Sequence, residues 1–418
     1  MKNFRGNEMI ALNEIKLCEV CGNSALESVL DLGNHPLCDD LVPVSEARIC
    51  REYPIEILFC PKCVTAHQRF QVPKVELFPK TYHYRSRFTA DVLSGMCSLV
   101  EACETRLGAL SGQTVLDVGC NDGSLLDFFA KKGAQTVGIE PTDAWLDARD
   151  HGHNLVNGFF SPQTALEIRE QYGQPDIITF TNVFAHIEDL RGLIEALKIV
   201  MKPSTMLVIE NHYLGAVLDC MQFDTFYHEH PRTYSLTSFG EIASSLGVSI
   251  SAVEFPSRYG GNIRVFLNCP DGGGENEASV ATVLACEAMF GAQFGLMGKN
   301  LKRWREVKGE RLRELAVKHG PLSSKAFPGR AAILVKLLGL DLGTIARVHE
   351  KPGSLKIGHF MPGTRIPIVH DDELLTALPM PSVIVNFAWH ISPEISGYLR
   401  KAGFQGEIVD ILESRDFN

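Results

Sequence analysis

Short apolar runs alternate with amphipathic stretches through the middle of the chain. Helical periodicity is clearest at 124–132 and 189–201, where apolar residues recur every three or four positions. The apolar runs have the length and β-branched content of buried strands, and they lie at 115–118, 136–139, 177–181 and 206–210. This alternation predicts a doubly wound α/β domain with a parallel sheet, whose ligands bind beyond the carboxyl ends of the strands.

The two ends of the chain carry different patterns. Short strands are predicted at 29–32 and 53–59, before the central region. A charged helical pattern at 275–318 predicts a connecting helix, and a second α/β unit with a smaller parallel sheet follows. The elements predicted for that unit are a helix at 331–340 and strands at 345–349, 366–369, 383–387 and 407–411. The chain is therefore divided into an N-terminal module at 1–75, a central domain with its linking helix at 76–305, and a C-terminal α/β domain at 306–418.

The composition narrows the class of ligand. The chain has 418 residues, is 45% hydrophobic and carries a formal net charge of -10 with a pI near 5.8. Without a long Lys/Arg run, a small-molecule partner is expected rather than a nucleic acid. No segment offers the roughly 20 uncharged apolar residues of a membrane helix, and residues 1–17 lack the apolar core of a signal peptide. We expect a cytoplasmic protein without membrane partners, either a monomer or a small homo-oligomer.

Four of the twelve cysteines form two Cys-x-x-Cys pairs. Cys18 and Cys21 make the first pair, and Cys60 and Cys63 make the second, about forty residues later, a spacing that lets four thiolates close a tetrahedral zinc site. A closed four-sulfur site leaves no position for substrate, so a structural role in a small module is predicted. The alternative is four reduced cysteines without metal.

The most distinctive stretch follows the first central strand. Asp117 lies at the end of the strand, and Gly119, Asn121, Asp122 and Gly123 form a glycine-punctuated turn before the next helix. This spacing differs from the Gly-x-Gly-x-x-Gly turn that holds a pyrophosphate. The anionic Asp122 repels a pyrophosphate and attracts a sulfonium or an amino group. The turn therefore favours S-adenosylmethionine over a nicotinamide dinucleotide.

Two further residues complete the predicted cofactor site. Glu140 ends the second strand, where its carboxylate is expected to meet the two ribose hydroxyls of an adenosine. Asn182 follows the third strand at the same edge of the sheet. The competing interpretation of this region is an ordinary tight strand-to-helix turn.

A histidine-rich segment at 223–230 follows the fourth strand. Tyr227, Glu229 and His230 are groups that can remove a proton from carbon and stabilise an enolate, and His186, after the third strand, is expected to face the same place. In an extended segment the glutamate points away from the two histidines of His-x-His, so a turn is needed for the groups to converge. Two alternatives stay open, a metal site in this segment and a purely structural cluster.

Several other residues are candidates for binding or positioning the substrate. Tyr82 and Tyr84, which precede the first strand of the central domain, can reach the mouth of the same site, with aromatic packing between domains as the alternative. The glycine pair at 260–261 permits close backbone contact with a ligand, and Arg264 after it can pair with a phosphate. The alternative is a hairpin with a surface arginine. A Phe-Pro-Gly-Arg turn is typical of anion binding before a helix. These residues are Tyr82, Tyr84, Tyr259, Gly260, Arg264 and Arg330.

Taken together, these motifs resemble the sugar C-methyltransferases, in the order zinc module, S-adenosylmethionine domain and C-terminal α/β domain. The resemblance rests on the cysteine pairs and on 115–126, 182–187, 223–230, 259–261 and 362–364. It implies methylation at C3 of a dTDP-linked 4-keto-6-deoxysugar through an enolate, for deoxysugar or surface polysaccharide biosynthesis. By resemblance His230 is the base, Tyr227, Glu229 and His186 line the sugar, and Tyr84 matches a tyrosine of the family's Tyr-x-Tyr-x-Ser run.

Other functions fit parts of the same pattern. GDP- or CDP-linked sugars and another methylated position are compatible with the same chemistry. A nicotinamide-dependent oxidoreductase or epimerase of nucleotide sugars can use either α/β unit, and a non-catalytic zinc scaffold needs neither. The C-terminal unit has no Gly-x-Gly-x-x-Gly turn, which favours nucleotide-sugar binding over a second dinucleotide.

Overall fold

The computed structural model describes residues 11–78, 85–269 and 277–417. Its N-terminal part is built on antiparallel strands, with β2 paired to β4 and β4 paired to β5. The predicted strands at 29–32 and 53–59 fall within β2 and β4. The elements of this part are β1 (Asn13–Glu14), β2 (Glu27–Pro36), β3 (Val42–Pro43), β4 (Glu52–Cys60), β5 (Thr65–Gln68), β6 (Phe70–Gln71) and α1 (Lys74–Leu77).

The central part is a seven-stranded sheet with helices on its faces. Its helices are α2 (Ala90–Leu107), α3 (Ser124–Lys131), α4 (Trp145–Asp150), α5 (Pro162–Tyr172), α6 (Leu190–Val200), α7 (Leu214–Asp219) and α8 (Leu236–Leu246). Its strands are β7 (Thr114–Val118), β8 (Gln135–Glu140), β9 (Asn154–Asn157), β10 (Ile177–Thr181), β11 (Met206–His212), β13 (Ile250–Glu254) and β14 (Asn262–Leu267). β12 (Arg232–Thr233) leaves this part and pairs with β5, so it joins the N-terminal sheet.

The strand order of the central sheet is β13-β14-β11-β10-β7-β8-β9. The strands from β7 to β11 run parallel, as predicted. The apolar residues of β7, β8, β10 and β11 are buried on both faces of the sheet. β14 differs because it lies antiparallel between β11 and β13. The prediction missed β9, whose residues are half-exposed and polar at both ends, and it missed the antiparallel insertion.

The C-terminal part is the smaller parallel sheet that was predicted, in the order β18-β16-β15-β19-β20. Its strands are β15 (Leu322–Lys325), β16 (Ile345–Glu350), β17 (His359–Phe360), β18 (Ile368–His370), β19 (Val383–Asn386) and β20 (Glu407–Asp410), and its helices are α11 (Ala331–Leu338), α12 (Asp372–Leu375) and α13 (Ser392–Lys401). β15, which the apolar pattern did not predict, is the central strand, and β17 pairs with β3 of the N-terminal part.

The predicted connecting helix is two helices, α9 (Glu277–Glu287) and α10 (Phe290–His319). α10 buries Phe290, Phe294 and Trp304 in a core shared with the N-terminal and C-terminal parts. Within the described ranges no single helix is long and apolar enough to cross a membrane, although Val280–Glu287 and Phe290–His319, bent by 56°, pass such a test as a pair on length and composition.

Candidate active site

The strand order of the central sheet reverses between β7 and β10. The chain proceeds from β7 to β8 and β9 on one side and from β10 to β11 on the other, so these two strands border the crevice where open α/β sheets bind ligands. Gly119 follows β7 and Val183 follows β10, and a Cβ on this glycine would lie 2.7 Å from the valine side chain. The two loops that the sequence singled out are therefore in contact at the switch point.

Glycine is required at two positions of the first loop. Gly119 and Gly123 have φ angles of +72° and +79°, a left-handed conformation that costs glycine little. A Cβ on Gly123 would lie 2.9 Å from both Ala148 and His153. Any larger residue at either position would push the loop away from the sheet.

Asp117 lies on β7 beside this loop. It is 3% exposed, and its Oδ1 accepts a hydrogen bond of 2.7 Å from Thr179 Oγ1 on β10. Burial raises the pKa of the Asp117 carboxyl to about 7, although the Thr179 hydrogen bond acts in the opposite direction. A neighbouring cation favours the ionised form of such a carboxyl. Asp117 therefore fits the positively charged ligand that the sequence predicted.

Glu140 lies at the carboxyl end of β8, on the other side of the loop. Its Oε2 accepts from the backbone N–H of Asn121 at 3.0 Å, and its Oε1 accepts from the N–H and the hydroxyl of Thr142 at 2.9 Å and 2.6 Å. Burial raises the pKa of Glu140. A carboxylate offers about four acceptor positions, so Glu140 holds the loop and keeps capacity for a ribose hydroxyl. Together with Asp117 and the glycines, it fits S-adenosylmethionine.

Asn121 and Asp122 hold the segment that precedes α2. Asn121 Oδ1 accepts from the Ser86 N–H and Asp122 Oδ2 accepts from the Arg87 N–H, both at 3.0 Å. Asp122 is fully buried, and its Oδ1 also accepts from the hydroxyl and the N–H of Ser124 at the start of α3. This differs from the expectation that Asp122 faces a cation, because protein donors bind both of its oxygens.

His230 lies within a group of aromatic side chains near the carboxyl ends of β10 and β11. Its Nδ1 is 2.9 Å from the carbonyl oxygen of Thr225, and because a carbonyl only accepts, the hydrogen is on Nδ1 and the lone pair of the neutral ring is on Nε2. The His230 ring centroid lies 4.7 Å from that of His186, 5.3 Å from that of His212 and 4.3 Å from that of Tyr227. The structure thus brings three of the predicted catalytic residues together and adds His212.

The imidazoles of this group are neutral near pH 7. Burial lowers the pKa of His186 to about 4 and that of His212 to about 3. Burial also lowers the pKa of His230 well below its ordinary value, and the neighbouring His186 and His212 lower it further. A neutral imidazole is the form that accepts a proton, so the group is in the state that a base requires.

The two histidines of His-x-His lie in one tight turn, and their side chains contact different parts of the protein. The His230 N–H donates to the Tyr227 carbonyl at 2.9 Å, and His228 Nε2 lies 3.1 Å from the carbonyl oxygen of Tyr53 in the N-terminal part. The Glu229 carbonyl accepts from His186 Nδ1 at 2.7 Å. Within the described part of the chain, the clusters suited to a metal do not include this segment. The geometry therefore does not support the metal alternative.

Residues of the C-terminal part complete the site. Arg330, just before α11, is 8% exposed, donates from Nη1 to Thr225 Oγ1 at 3.1 Å and places Nε 3.4 Å from Asp224 Oδ2. Trp389 packs under the guanidinium at 5.1 Å and donates from Nε1 to the same Asp224 oxygen at 2.9 Å. Among the described residues, Arg330 Nη2 and His390 Nδ1 are buried without a hydrogen-bond partner. A polar ligand or an ordered water can satisfy such atoms.

Arg264 does not fit the phosphate-binding role that the sequence predicted. It lies on β14 and is 1% exposed, with Nε 2.7 Å from Glu210 Oε2 and Nη1 2.7 Å from Glu254 Oε2. Two carboxylates in a buried site already balance its charge. The sequence predicted a turn into a strand here, but its pattern did not show that this strand, β14, inserts beside β11 and buries the arginine.

The other predicted residues have varied positions. Tyr259 and Gly260 lie in the short 3-10 helix Arg258–Gly260, where a Cβ on Gly260 would meet the Gln222 amide at 2.4 Å. The glycine pair therefore approaches a protein side chain closely. Asn182 has a φ of +54°, and its side-chain oxygen accepts from Asn262 Nδ2 at 3.3 Å. Tyr82 and Tyr84 lie outside the described residues.

The four cysteines of the two Cys-x-x-Cys pairs meet in the N-terminal part. Cys18 Sγ lies 3.3 Å from Cys63 Sγ, Cys21 Sγ lies 3.6 Å from Cys60 Sγ, and all four sulfurs lie within 4.8 Å of one another. A four-thiolate donor set with this spacing fits tetrahedral zinc. Because no ligand position is left for a substrate, the zinc is structural.

A buried ion pair connects this zinc site to the histidine group. Glu19, between the first two cysteines, lies 2.6 Å from Arg232 Nη1, and Arg232 is fully buried. The same guanidinium donates to the carbonyl oxygens of Ile187 and Glu188, directly after His186. Burial raises the pKa of Glu19, but the Arg232 charge and the nearby His67 bring it down to about 2. The zinc site thus helps to set the position of the His186 loop.

Three sequence families match successive parts of this chain. Residues 18–78 match a zinc binding domain, residues 88–252 match a methyltransferase domain, and residues 257–409 match a C-methyltransferase C-terminal domain. The chain is similar to the C-methyltransferase NovU of Streptomyces niveus, with 27% identity over 384 residues that cover 90% of each protein. These regions follow one another in the order that the resemblance implied.

Other similarities cover smaller shares of the chain. A ubiquinone biosynthesis O-methyltransferase of Acinetobacter baumannii (strain AYE) is 34% identical over 104 residues, which are 24% of this chain and 44% of that protein. A crystal structure of magnesium protoporphyrin IX methyltransferase (ChlM) from Synechocystis PCC 6803 with bound SAM covers 42% of this chain and 79% of its own, with 15% identity and a TM-score of 0.32.

The affinity for S-adenosylmethionine is expected to depend on pH through Asp117. Since its pKa is about 7 in the free protein, acidification neutralises the carboxylate that attracts the cation, and binding releases a proton. The dissociation constant, measured by calorimetry, should rise about tenfold per pH unit below 7 and level off above it. His186, His212 and His230 do not contribute near pH 7, because burial lowers their pKa values. Asp117→Asn should bind more weakly and without this dependence, whereas a pH-independent constant for the wild-type protein would contradict the assignment.

Proposed function

We propose that this S-adenosylmethionine-dependent C-methyltransferase, which combines zinc-binding, methyltransferase and C-methyltransferase C-terminal domains, acts on a nucleotide-linked 4-keto-deoxysugar. The methylated atom is C3, next to the ketone, and the reaction proceeds through an enolate. The observation that carries this proposal is the pair of contacts at Thr225. Its carbonyl accepts from His230 and its hydroxyl accepts from Arg330, so a base and a fixed positive charge are held on one residue.

His230 is the base of this proposal. Its Nδ1–H remains bonded to the Thr225 carbonyl, while Nε2 takes the proton from the carbon next to the ketone. The ring cannot turn away because His186, His212 and Tyr227 pack around it. Burial opposes the imidazolium that forms, and the negative charge that a nucleotide sugar brings into the site offsets this effect.

Arg330 binds an anionic oxygen of the substrate. Its Nη2 is a buried donor without a partner among the described residues, whereas Nη1 and Nε are fixed by Thr225 and Asp224. A guanidinium held in this way matches a diphosphate or an enolate oxygen, because both accept charge-assisted hydrogen bonds. The relative NovU is a C-methyltransferase, and this similarity supports transfer to carbon.

The cofactor lies beside this group at the switch point of the central sheet. Bound S-adenosylmethionine supplies the electrophilic methyl group. Asp117 attracts its positive charge, Glu140 meets the ribose, and the glycine loop lets the backbone approach closely. The loops after β7 and β10 meet at Gly119 and Val183, and this contact supports a cofactor position next to the His186 turn.

The substrate class is tested with dTDP-, GDP- and CDP-linked 4-keto-6-deoxysugars. S-adenosylhomocysteine should form with one of them, and the product should carry the new methyl group on C3. Arg330→Gln should raise the KM for that substrate by about 10- to 100-fold, the value of a hydrogen bond to a charged group, without changing the dissociation constant of S-adenosylmethionine. Arg347→Gln, which removes an exposed arginine of the same domain, is the control. Turnover with none of these sugars would refute the substrate class.

A further inference from the structure

A second group of metal-ligating side chains lies outside the active site, where α3, α4 and β9 meet. Asp127 Oδ2 is 2.9 Å from His151 Nδ1, and Asp127 Oδ1 is 3.1 Å from His153 Nε2. One ligand atom from each of the three residues lies within 4.8 Å of the other two. Two imidazoles and one carboxylate are a donor set of first-row transition metals.

The spacing of these atoms suits an ion of higher coordination number. Metal–ligand bonds of about 2.1 Å that meet near a right angle place neighbouring ligand atoms about 3.0 Å apart. The two nitrogen–oxygen distances lie on either side of that value. An ion can therefore replace the two shared hydrogens with only a small movement of the side chains.

His153 has the surroundings of a metal ligand. Its side chain is 3% exposed, and its Nδ1 lies 2.8 Å from the hydroxyl oxygen of Thr136. When Nε2 holds an ion, Nδ1–H donates to this hydroxyl and fixes the ring, which is the usual outer partner of a ligating histidine. His151 and Asp127 are 40% and 34% exposed, so water can complete the coordination.

The same residues contact the cofactor loop. His153 packs against Gly123, where a Cβ would lie 2.9 Å from its Cδ2, and the Asp127 N–H donates to the Gly123 carbonyl at 2.9 Å. An ion that joins His153 to Asp127 therefore joins both neighbours of Gly123. Its effect would be to hold the turn at the start of α3 in place.

We propose that Asp127, His151 and His153 bind one divalent first-row transition ion, such as Co²⁺, at a site separate from the four cysteines, and that this ion stabilises the cofactor loop. The proposed ion stabilises the cofactor loop and takes no part in methyl transfer. The proposal does not depend on the identity of the methyl acceptor.

The test is a titration of Co²⁺ into the full-length protein whose cysteine site is filled with zinc. Calorimetry should show one ion per chain, with weak visible absorption and without the intense thiolate charge-transfer band of a cysteine site. The amide hydrogens of 119–124 should exchange more slowly with the ion bound. His151→Ala should weaken binding at least tenfold, and Thr136→Val should weaken it by about tenfold, the usual effect of losing an outer partner.

The control is His319→Ala, which removes an exposed histidine at the end of α10 and should leave Co²⁺ binding unchanged. Three results would overturn the proposal. They are no binding beyond the cysteine site, the same affinity in His151→Ala as in the wild-type protein, and binding that leaves exchange in 119–124 unaltered. Because His151 is partly exposed, its replacement is compatible with folding, and circular dichroism of the variant checks this.

Discussion

Replacing His230 by asparagine is expected to reduce the methyl-transfer rate by about a hundredfold or more, which is the usual contribution of a general base. Asparagine keeps an N–H near the position of Nδ1 and can still donate to the Thr225 carbonyl, but it has no lone pair to take a proton from carbon. The dissociation constant of S-adenosylmethionine should stay the same, because the cofactor residues lie on other loops. The rate of S-adenosylhomocysteine formation and the deuterium content of the recovered ketosugar in D2O report the two halves of the reaction.

The matched control is His228→Gln. Its Nε2 faces the Tyr53 carbonyl of the N-terminal part, a position where the glutamine amide can donate instead. Transfer should fall by less than about threefold, far below the contribution of a base. An His230→Asn protein that still exchanges the C3 hydrogen at the wild-type rate would show that another group removes the proton.

Loss of zinc is expected to abolish methyl transfer indirectly, because the N-terminal part unfolds. Cys63 is fully buried within the sulfur cluster, and Cys63→Ser removes one thiolate from a site whose zinc contributes on the order of 10 kcal/mol in comparable small domains. The N-terminal part should unfold locally, β12 should lose its partner β5, and Arg232 should lose Glu19. Hydrogen exchange in 225–234 should then rise together with the loss of activity.

Cys220→Ser provides the comparison, since this cysteine is exposed and far in sequence from the cluster. It should keep one zinc ion per chain in the cysteine site and full activity. Binding of S-adenosylmethionine to Cys63→Ser should persist, because the central sheet does not depend on the zinc. A zinc-free protein with unchanged exchange in 225–234 would mean that the module does not position the histidines.

The parts of this fold that the sequence predicted are those in which local pattern and burial agree. β7, β8, β10 and β11 contain short, largely apolar runs that are buried inside the sheet, so their signal is strong. β9 has exposed polar ends, and β15 is a short run of Leu, Ser, Ser and Lys. Both strands exist because neighbouring strands offer hydrogen bonds, which is tertiary information.

The sequence predicted most residues of the site, but not the orientation of their side chains. His186, Tyr227 and His230 converge as expected, but only the turn from Tyr227 to His230 decides that His228 points the other way. Asp122 had the right charge for a cation, but it accepts from the Arg87 N–H and the Ser124 hydroxyl instead. His212, the last residue of β11, was missed as a member of the site because no motif surrounds it.

The pairing of β12 with β5 bears on how such chains can be recombined. Arg232 and Thr233 are opposite His67 and Ala66, so the edge strand of the N-terminal sheet comes from a segment more than 150 positions downstream. A chimaera that swaps the first 75 residues between relatives would break this edge unless the donor also brings its own version of the downstream pair. Recombination is therefore expected to favour crossovers that inherit both stretches from one parent.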